Sequence, residues 1–273
     1  MSTPTTPWPA FTPPRWPGFA PPLTDQDEVE NDAFVSLINP DGSVHTAKWI
    51  GATRDGLVLN HPFGSDIAGG KLHLADRDGG TSEADPSVSV VRMFDMETGA
   101  PAGELRSEVS PGFNDIEVAE DGTIYATQTG PMGENPDPAT WRVYAVTPEG
   151  ETSVLVEGAP LRRPNGIAID GAGNLVVVNV GDDAVLTFSP EGELLETRRA
   201  AQPGSDGVVV LPDGTTYVSS VRMGGISRLR PGKEAELIAT GIPNAASMCL
   251  DPDGGQLVVP MNLNHGLAFV PLE

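Results

Sequence analysis

The chain is short of cysteine, aromatic residues, basic side chains and long apolar runs, and each shortage removes a class of function. Cys249 is the only cysteine in 273 residues, which excludes an intrachain disulfide and any cysteine-built zinc cluster. It sits in the apolar run Met248–Cys249–Leu250, where a buried, inert thiol is expected rather than a nucleophile. Lys and Arg number 16 against 38 Asp and Glu, a formal charge of −22. A surface of that sign repels phosphate backbones and anionic lipid headgroups, so neither nucleic acid nor a membrane is expected as a partner. No apolar stretch approaches the roughly 20 residues that span a bilayer. The opening MSTPTTPWPAFTPPRWPGFAPP lacks the basic start and apolar core of a secretory signal, so a cytoplasmic protein is expected. G-x-S-x-G and H-E-x-x-H are missing, as is a glycine-rich phosphate loop entering a helix. Covalent serine or cysteine hydrolysis therefore has no support.

What the chain does have is turns and repeats. Its 32 Gly and 27 Pro suit many short strands joined by tight turns. GFNDIEVAEDGTIYATQTG from Gly112, RPNGIAIDGAGNLVVVNVG from Arg163, GSDGVVVLPDGTTYVSSVR from Gly204 and NAASMCLDPDGGQLVVPMN from Asn244 share one plan. Each runs from a polar residue through an apolar strand and an acidic or glycine turn to a second apolar strand. A fifth copy, HPFGSDIAGGKLHLADRDGG from His61, has a shortened turn. The copies open at Phe63, Asn114, Asn165, Asp206 and Ala246, at intervals of 51, 51, 41 and 40 residues. Third strands such as WRVYAVTPEG and fourth strands such as TSVLVEG complete a four-stranded unit. That period predicts an all-β, six-bladed β-propeller over residues 32–273, its ring closed by N- and C-terminal strands and one blade incomplete or divergent. Residues 1–31 are expected to be a Pro-rich N-terminal arm with at most one short strand. The longer intervals come from Gly79–Ser87 and Gly130–Thr140, expected as surface loops between second and third strands.

The start of each innermost strand projects toward one mouth of a propeller's channel. Asn114, Asn165 and Asp206 hold that position on three successive blades, and three oxygen-bearing side chains converging there make a candidate hard-cation site. The competing reading is that Asn and Asp simply favour strand-start turns.

FNDIEV, RPNGIAI and SDGVVV, with the turns DGAGNL and LPDGTTYV, resemble the gluconolactonase and regucalcin (senescence marker protein) family of six-bladed propellers. FVSLINPDGSVHTAKWI and the closing NAASMCLDPDGGQLVVPMN extend the resemblance over residues 34–273. It implies a divalent metal on the axis, calcium first, with zinc, magnesium or manganese as alternatives. By that resemblance Asn165 and Asp206 are metal ligands, while Asn114 contacts water or substrate. The implied reaction is hydrolysis of a small lactone or related cyclic ester, with Asp206 also the base that activates water. The family's remaining ligand is a Glu opening the first blade's inner strand. At the corresponding place stands PRWPGF, without an acid, and the nearest candidates are Glu28 and Glu30. Loss of an anionic ligand weakens metal binding, in the limit to no cofactor at all.

Phe63 stands where a ligand would be, as a wall for a substrate ring or as core packing. Arg222 is a candidate for an anionic substrate group, and His61 and His265 are weaker acid–base candidates. Ser65 and Asp66 share the strand of Phe63. Asp115 is expected on the far side of its strand from Asn114, as a turn partner. Besides the metal-dependent hydrolase, two readings stay open. One is a metal-free isomerase, cyclase or epoxide-opening enzyme on a small metabolite, and the other a non-catalytic ligand-binding propeller. The sequence leaves the oligomeric state open.

Overall fold

Pro and Gly at fixed places in the turns cut the chain into strands. Asn39–Pro40–Asp41–Gly42, Thr147–Pro148–Glu149–Gly150, Ser189–Pro190–Glu191–Gly192 and Leu211–Pro212–Asp213–Gly214 share one turn. Proline presets the second residue, and the closing glycine takes φ of 84°, 90°, 89° and 81°. That glycine's amide donates to the first residue's carbonyl at 2.8–2.9 Å in all four. The tightest hairpin uses Gly69 and Gly70, φ 56° and 74°, between the paired residues Ala68 and Lys71.

The computed structural model describes residues 8–12, 33–51, 57–80, 84–131, 133, 136–262 and 264–272. Their strands form six antiparallel sheets. The first contains β1 (Trp8–Thr12), β2 (Phe34–Ile38) and β3 (Val44–Gly51). The second contains β4 (Ser65–Ala68), β5 (Lys71–Asp78), β6 (Val88–Asp95) and β7 (Pro101–Ser107). The third contains β8 (Ile116–Val118), β9 (Ile124–Gln128), β10 (Arg142–Val146) and β11 (Thr152–Glu157). The fourth contains β12 (Pro164–Ile169), β13 (Leu175–Asn179), β14 (Ala184–Phe188) and β15 (Leu194–Arg199). The fifth contains β16 (Ser205–Val210), β17 (Thr216–Ser220), β18 (Ile226–Leu229) and β19 (Glu236–Ala239). The last contains β20 (Cys249–Asp251), β21 (Gln256–Met261) and β22 (Gly266–Pro271). Each sheet runs in chain order, and the inner strands β4, β8, β12, β16 and β20 meet around a common axis. The fold is an all-β propeller. Its one helical element among the described residues is a single 3-10 turn, Pro138–Thr140, within the Gly130–Thr140 loop.

Every residue of β9, β13 and β17 is buried. These second strands have a strand on either side and a neighbouring sheet on either face, which is why LVVVN reads as a continuous apolar run instead of alternating. Leu175, Val177, Leu186 and Phe188 pack with Val143 of the third sheet and with Trp141 and Leu161 from the segments flanking it, and Leu257 and Val259 pack with Tyr217 and Ile226 of the fifth. Burial of each such side chain contributes about 1.5–3 kcal/mol.

The ring closes where the first and last sheets meet. Gln256 Nε2 donates to the Pro40 carbonyl at 3.3 Å, and a Cβ on Gly42 would sit 3.0 Å from the Phe269 ring. Among the described residues no sheet combines strands from both ends of the chain, so two sheets are three-stranded where one incomplete blade was expected. β1 lies within the expected arm and pairs with β2, Trp8 opposite Ile38 and Thr12 opposite Phe34. Glu28, Glu30 and the PRWPGF segment lie outside the described residues.

Candidate functional site

Backbone hydrogen bonds place the inner strands in one common register. Phe63 N donates to the Ala75 carbonyl at 2.8 Å, Asn114 N to Thr127 at 2.7 Å and Ala246 N to Pro260 at 3.0 Å. Ile116↔Ala126, Ile167↔Val177 and Val208↔Val218 extend that register to Asn165 and Asp206. Phe63, Asn114, Asn165, Asp206 and Ala246 are therefore structural equivalents at one mouth of the channel.

Of the three oxygen-bearing residues, the structure joins two. Asn165 Nδ2 lies 3.3 Å from Asp206 Oδ2. Asn114 turns its amide to Thr129 Oγ1 at 2.8 Å, and Thr129 donates onward to the Pro164 carbonyl at 2.7 Å. The backbone explains the Asn165–Asp206 contact. A Cβ on Gly166 would meet the Asp206 carbonyl oxygen at 2.4 Å, so only glycine lets β12 and β16 approach this closely. The second Asp206 oxygen lies 3.5 Å from Ser247 Oγ, and the carboxylate also accepts the Ser247 amide. Burial in the axis pushes the Asp206 carboxyl up to about 6, against the lowering effect of those Ser247 bonds.

Asp115 is not a turn partner. It is buried, and its Oδ2 accepts from Ile167 N on the next inner strand at 3.2 Å. Asp66 Oδ2 accepts from Val118 N at 2.9 Å, and the Glu117 carboxylate accepts from Ile169 N. On β4 and β8, then, acids staple one inner strand to the next. Burial drives Asp115 up to about 7 and Glu117 to about 8, helped by mutual repulsion with Asp66, and for Asp115 with Asp206 also. Glu117 escaped the sequence reading, although the 51-residue interval that aligns Phe63 with Asn114 also aligns Asp66 with Glu117. His73 escaped it too. It is buried opposite Asp66 with its Nδ1 unpartnered, and burial lowers its pKa against the pull of Asp66.

A hard cation takes six to eight oxygen ligands. The described residues offer Asn165 and Asp206 in contact, while Asn114 points its Nδ2 at Thr129. Among the described residues no group of three or more His, Cys, Asp or Glu is placed to hold a metal ion. This donor set does not by itself fit the divalent ion that the family resemblance implies.

Phe63 is partly buried against the cluster that contains Phe113, Ile116 and Tyr144, and its ring centroid lies 4.9 Å from that of His61, so it packs on the core beside a titratable side chain at the mouth. Arg222 is exposed and lines a cleft of about 210 Å³ with Met223, Ile242 and Asn244. His265 sits exposed in the β21–β22 hairpin at φ 50°. Cys249 is half-buried, its thiol pushed up to about 11, so it stays protonated. Arg163, another residue the sequence reading passed over, is buried at φ 59° and donates to the Gly133 carbonyl, tying the Gly130–Thr140 loop to the entry of β12.

The family model of the SMP-30/gluconolactonase/LRE-like region matches residues 90–260. The chain belongs to this family. Its matched stretch contains Asn114, Asn165 and Asp206 but not Phe63. A gluconolactonase from Xanthomonas campestris superposes with a TM-score of 0.58 at 21% identity, over 88% of this chain and 79% of that one. A putative gluconolactonase gives 0.59 at 20% identity, over 89% and 83%. A catalytically inactive virginiamycin B lyase from Staphylococcus aureus, solved with quinupristin, gives 0.60 at 13% identity, over 88% of each chain. Likeness at these identities shows the shared propeller fold. No curated protein gives a significant match.

Proposed function

We propose that the protein hydrolyses a small lactone or related cyclic ester at this mouth, in the cytoplasm, with Asp206 as general base and the sheet β1–β3 counted as the sixth blade. The reading rests on one observation above all. The Asp206 carboxyl, held beside the Asn165 amide, has its pKa raised to about 6, where a base combines an ionised form at neutral pH with real proton affinity. Asp206 takes a proton from water as the water oxygen attacks the lactone carbonyl. The ring C–O bond then breaks, its oxygen takes that proton from Asp206, and a hydroxy acid leaves with the Asp206 carboxylate restored. Asn165 and Asn114 supply amide contacts to the substrate's oxygens, Phe63 and His61 wall the ring, and Arg222 receives an anionic substituent in its cleft. Membership of the gluconolactonase-like family supports the reaction class.

The test is a lactone panel with Asp206→Asn. The variant keeps the shape and should lose kcat by about 10²-fold or more, while wild-type kcat/KM climbs with pH through about 6. An unchanged kcat removes Asp206 from the chemistry. A metal-assisted form of this hydrolysis is the second reading, favoured by the contact of Asn165 with Asp206, the two positions that resemble metal ligands. Chelator-insensitive activity supports the base alone. An equivalent of calcium, zinc, magnesium or manganese that is lost in Asp206→Asn supports the metal.

A further inference from the structure

In the third, fourth and fifth sheets the last residue of the second strand holds the loop that feeds its own inner strand. Gln128 Oε1 accepts from Ser110 Oγ at 3.0 Å, Asn179 Oδ1 from Arg162 N at 3.1 Å, and Ser220 Oγ donates to the Pro203 carbonyl at 2.7 Å. These three side chains are neutral and buried. The equivalent residue in the second sheet is Asp76, 1% exposed and a carboxylate. It accepts from both His61 N and Asn60 N, the latter at 3.0 Å. Its counter-charge is Arg92, 5% exposed, whose Nε lies 2.5 Å from Asp76 Oδ2 and whose other nitrogens reach Asp78 and Glu104. Asn60 is fixed a second time, by its amide on the Arg77 carbonyl and Asp78 Oδ1, each at 2.9 Å.

We infer that Arg92 is a positioning residue for the substrate wall. It acts through Asp76 to fix the backbone at Asn60–His61 and so the paired rings of His61 and Phe63 at the mouth. The third, fourth and fifth sheets feed their inner strands with neutral anchors. Of these four anchors Asp76 alone needs a buried cation, because it alone holds two successive amides. A carboxylate accepts both at once, one on each oxygen, and Arg92 makes its burial tolerable. The inference deepens the proposed lactonase reading, in which His61 and Phe63 wall the substrate ring.

The experiment compares wild type with Arg92→Lys, Arg92→Met and the double variant Asp76→Asn/Arg92→Met, which installs the neutral anchor found in the fourth sheet. The ¹H–¹³C resonances of the His61 ring, assigned with His61→Gln, report the wall whether or not any lactone is turned over. Arg92→Lys keeps the charge but loses the fork, so it should fold, shift the His61 resonances and raise KM about tenfold, with kcat changed less than about twofold. In the double variant the single Asn oxygen can keep His61 N while Asn60 stays held by its own side-chain amide, so the His61 resonances and KM should return most of the way toward wild type, even if Arg92→Met alone fails to fold. His61 resonances and KM unmoved in Arg92→Lys would overturn the inference, as would a double variant that folds yet leaves His61 displaced. If wild type opens no lactone, the proposed reaction falls while the His61 resonances still decide the role of Arg92.

Discussion

The contact of β8 with β12 and that of β12 with β16 solve one problem in opposite ways. Both bring adjacent inner strands together at the axis. Between β8 and β12 the link is side chain to backbone, Asp115 to Ile167 N and Glu117 to Ile169 N. Between β12 and β16 it is backbone on backbone, Gly166 against the Asp206 carbonyl. The first contact carries buried carboxyls that resist ionisation. The second leaves no room for a side chain, and that closeness brings Asn165 onto Asp206. One side of the axis should therefore be sensitive to pH and the other to bulk.

The largest expected effect is on the acidic side. Asp115 rises from an ordinary 3.8 to about 7 on folding, so between those values the folded protein holds a proton that the unfolded chain has released. The Asp115 contribution to stability is greatest below the unfolded value and is lost as pH climbs to about 7, with Glu117 extending the loss to about 8. For Asp115 alone the loss is on the order of 4 kcal/mol. Asp115→Asn keeps an oxygen for Ile167 N and should flatten much of this slope in chemical denaturation run at several pH values. A slope unchanged in the variant would mean that Asp115 does not titrate in this range.

Next comes Gly166→Ala. Its Cβ would meet the Asp206 carbonyl at 2.4 Å and Val178 at 3.1 Å, and the first of these neighbours is backbone that cannot swing aside. Overpacking of this kind should cost about 3 kcal/mol, with no dependence on pH. The same methyl pushes Asp206 from Asn165, so the proposed hydrolysis should fall alongside stability. A variant as stable as wild type would show that the two inner strands can separate freely.

These two contacts also mark how far the sequence could be read. The turns, the repeat intervals and the register of Phe63, Asn114, Asn165, Asp206 and Ala246 were legible, because Pro, Gly and acids recur at fixed offsets and each turn type demands them. The neighbourhood of Asn165 and Asp206 followed from that register. Asp115 did not, for a physical reason. Alternation along a strand separates a core side from a solvent side, but an inner strand of a propeller has a neighbouring sheet on each face, so the residue beside Asn114 is buried as well. Asn114's turn toward Thr129 depends on a hydroxyl 15 residues away, a pairing that no spacing rule encodes. The two three-stranded sheets at the closure were equally hidden, since which terminus completes which sheet is decided by packing between residues 216 apart, as in Gln256 and Pro40.

The smallest expected effect tests the bulk-sensitive contact from outside. Gly173 closes the turn between β12 and β13 at φ 85°, and a Cβ there meets nothing within 4 Å. It belongs to the same sheet as Gly166 but is selected by backbone conformation, not by a neighbour. Gly173→Ala should cost about 1 kcal/mol for the left-handed conformation, a fall of about 2–4 °C in Tm. Gly173→Asn should recover most of that loss, because Asn tolerates this region. Asn at 166 should be worse than Ala, since the obstacle there is the Asp206 backbone. If Asn rescued both positions alike, the glycines of the inner strands would be conformational choices, and the close approach of β12 to β16 would not explain them.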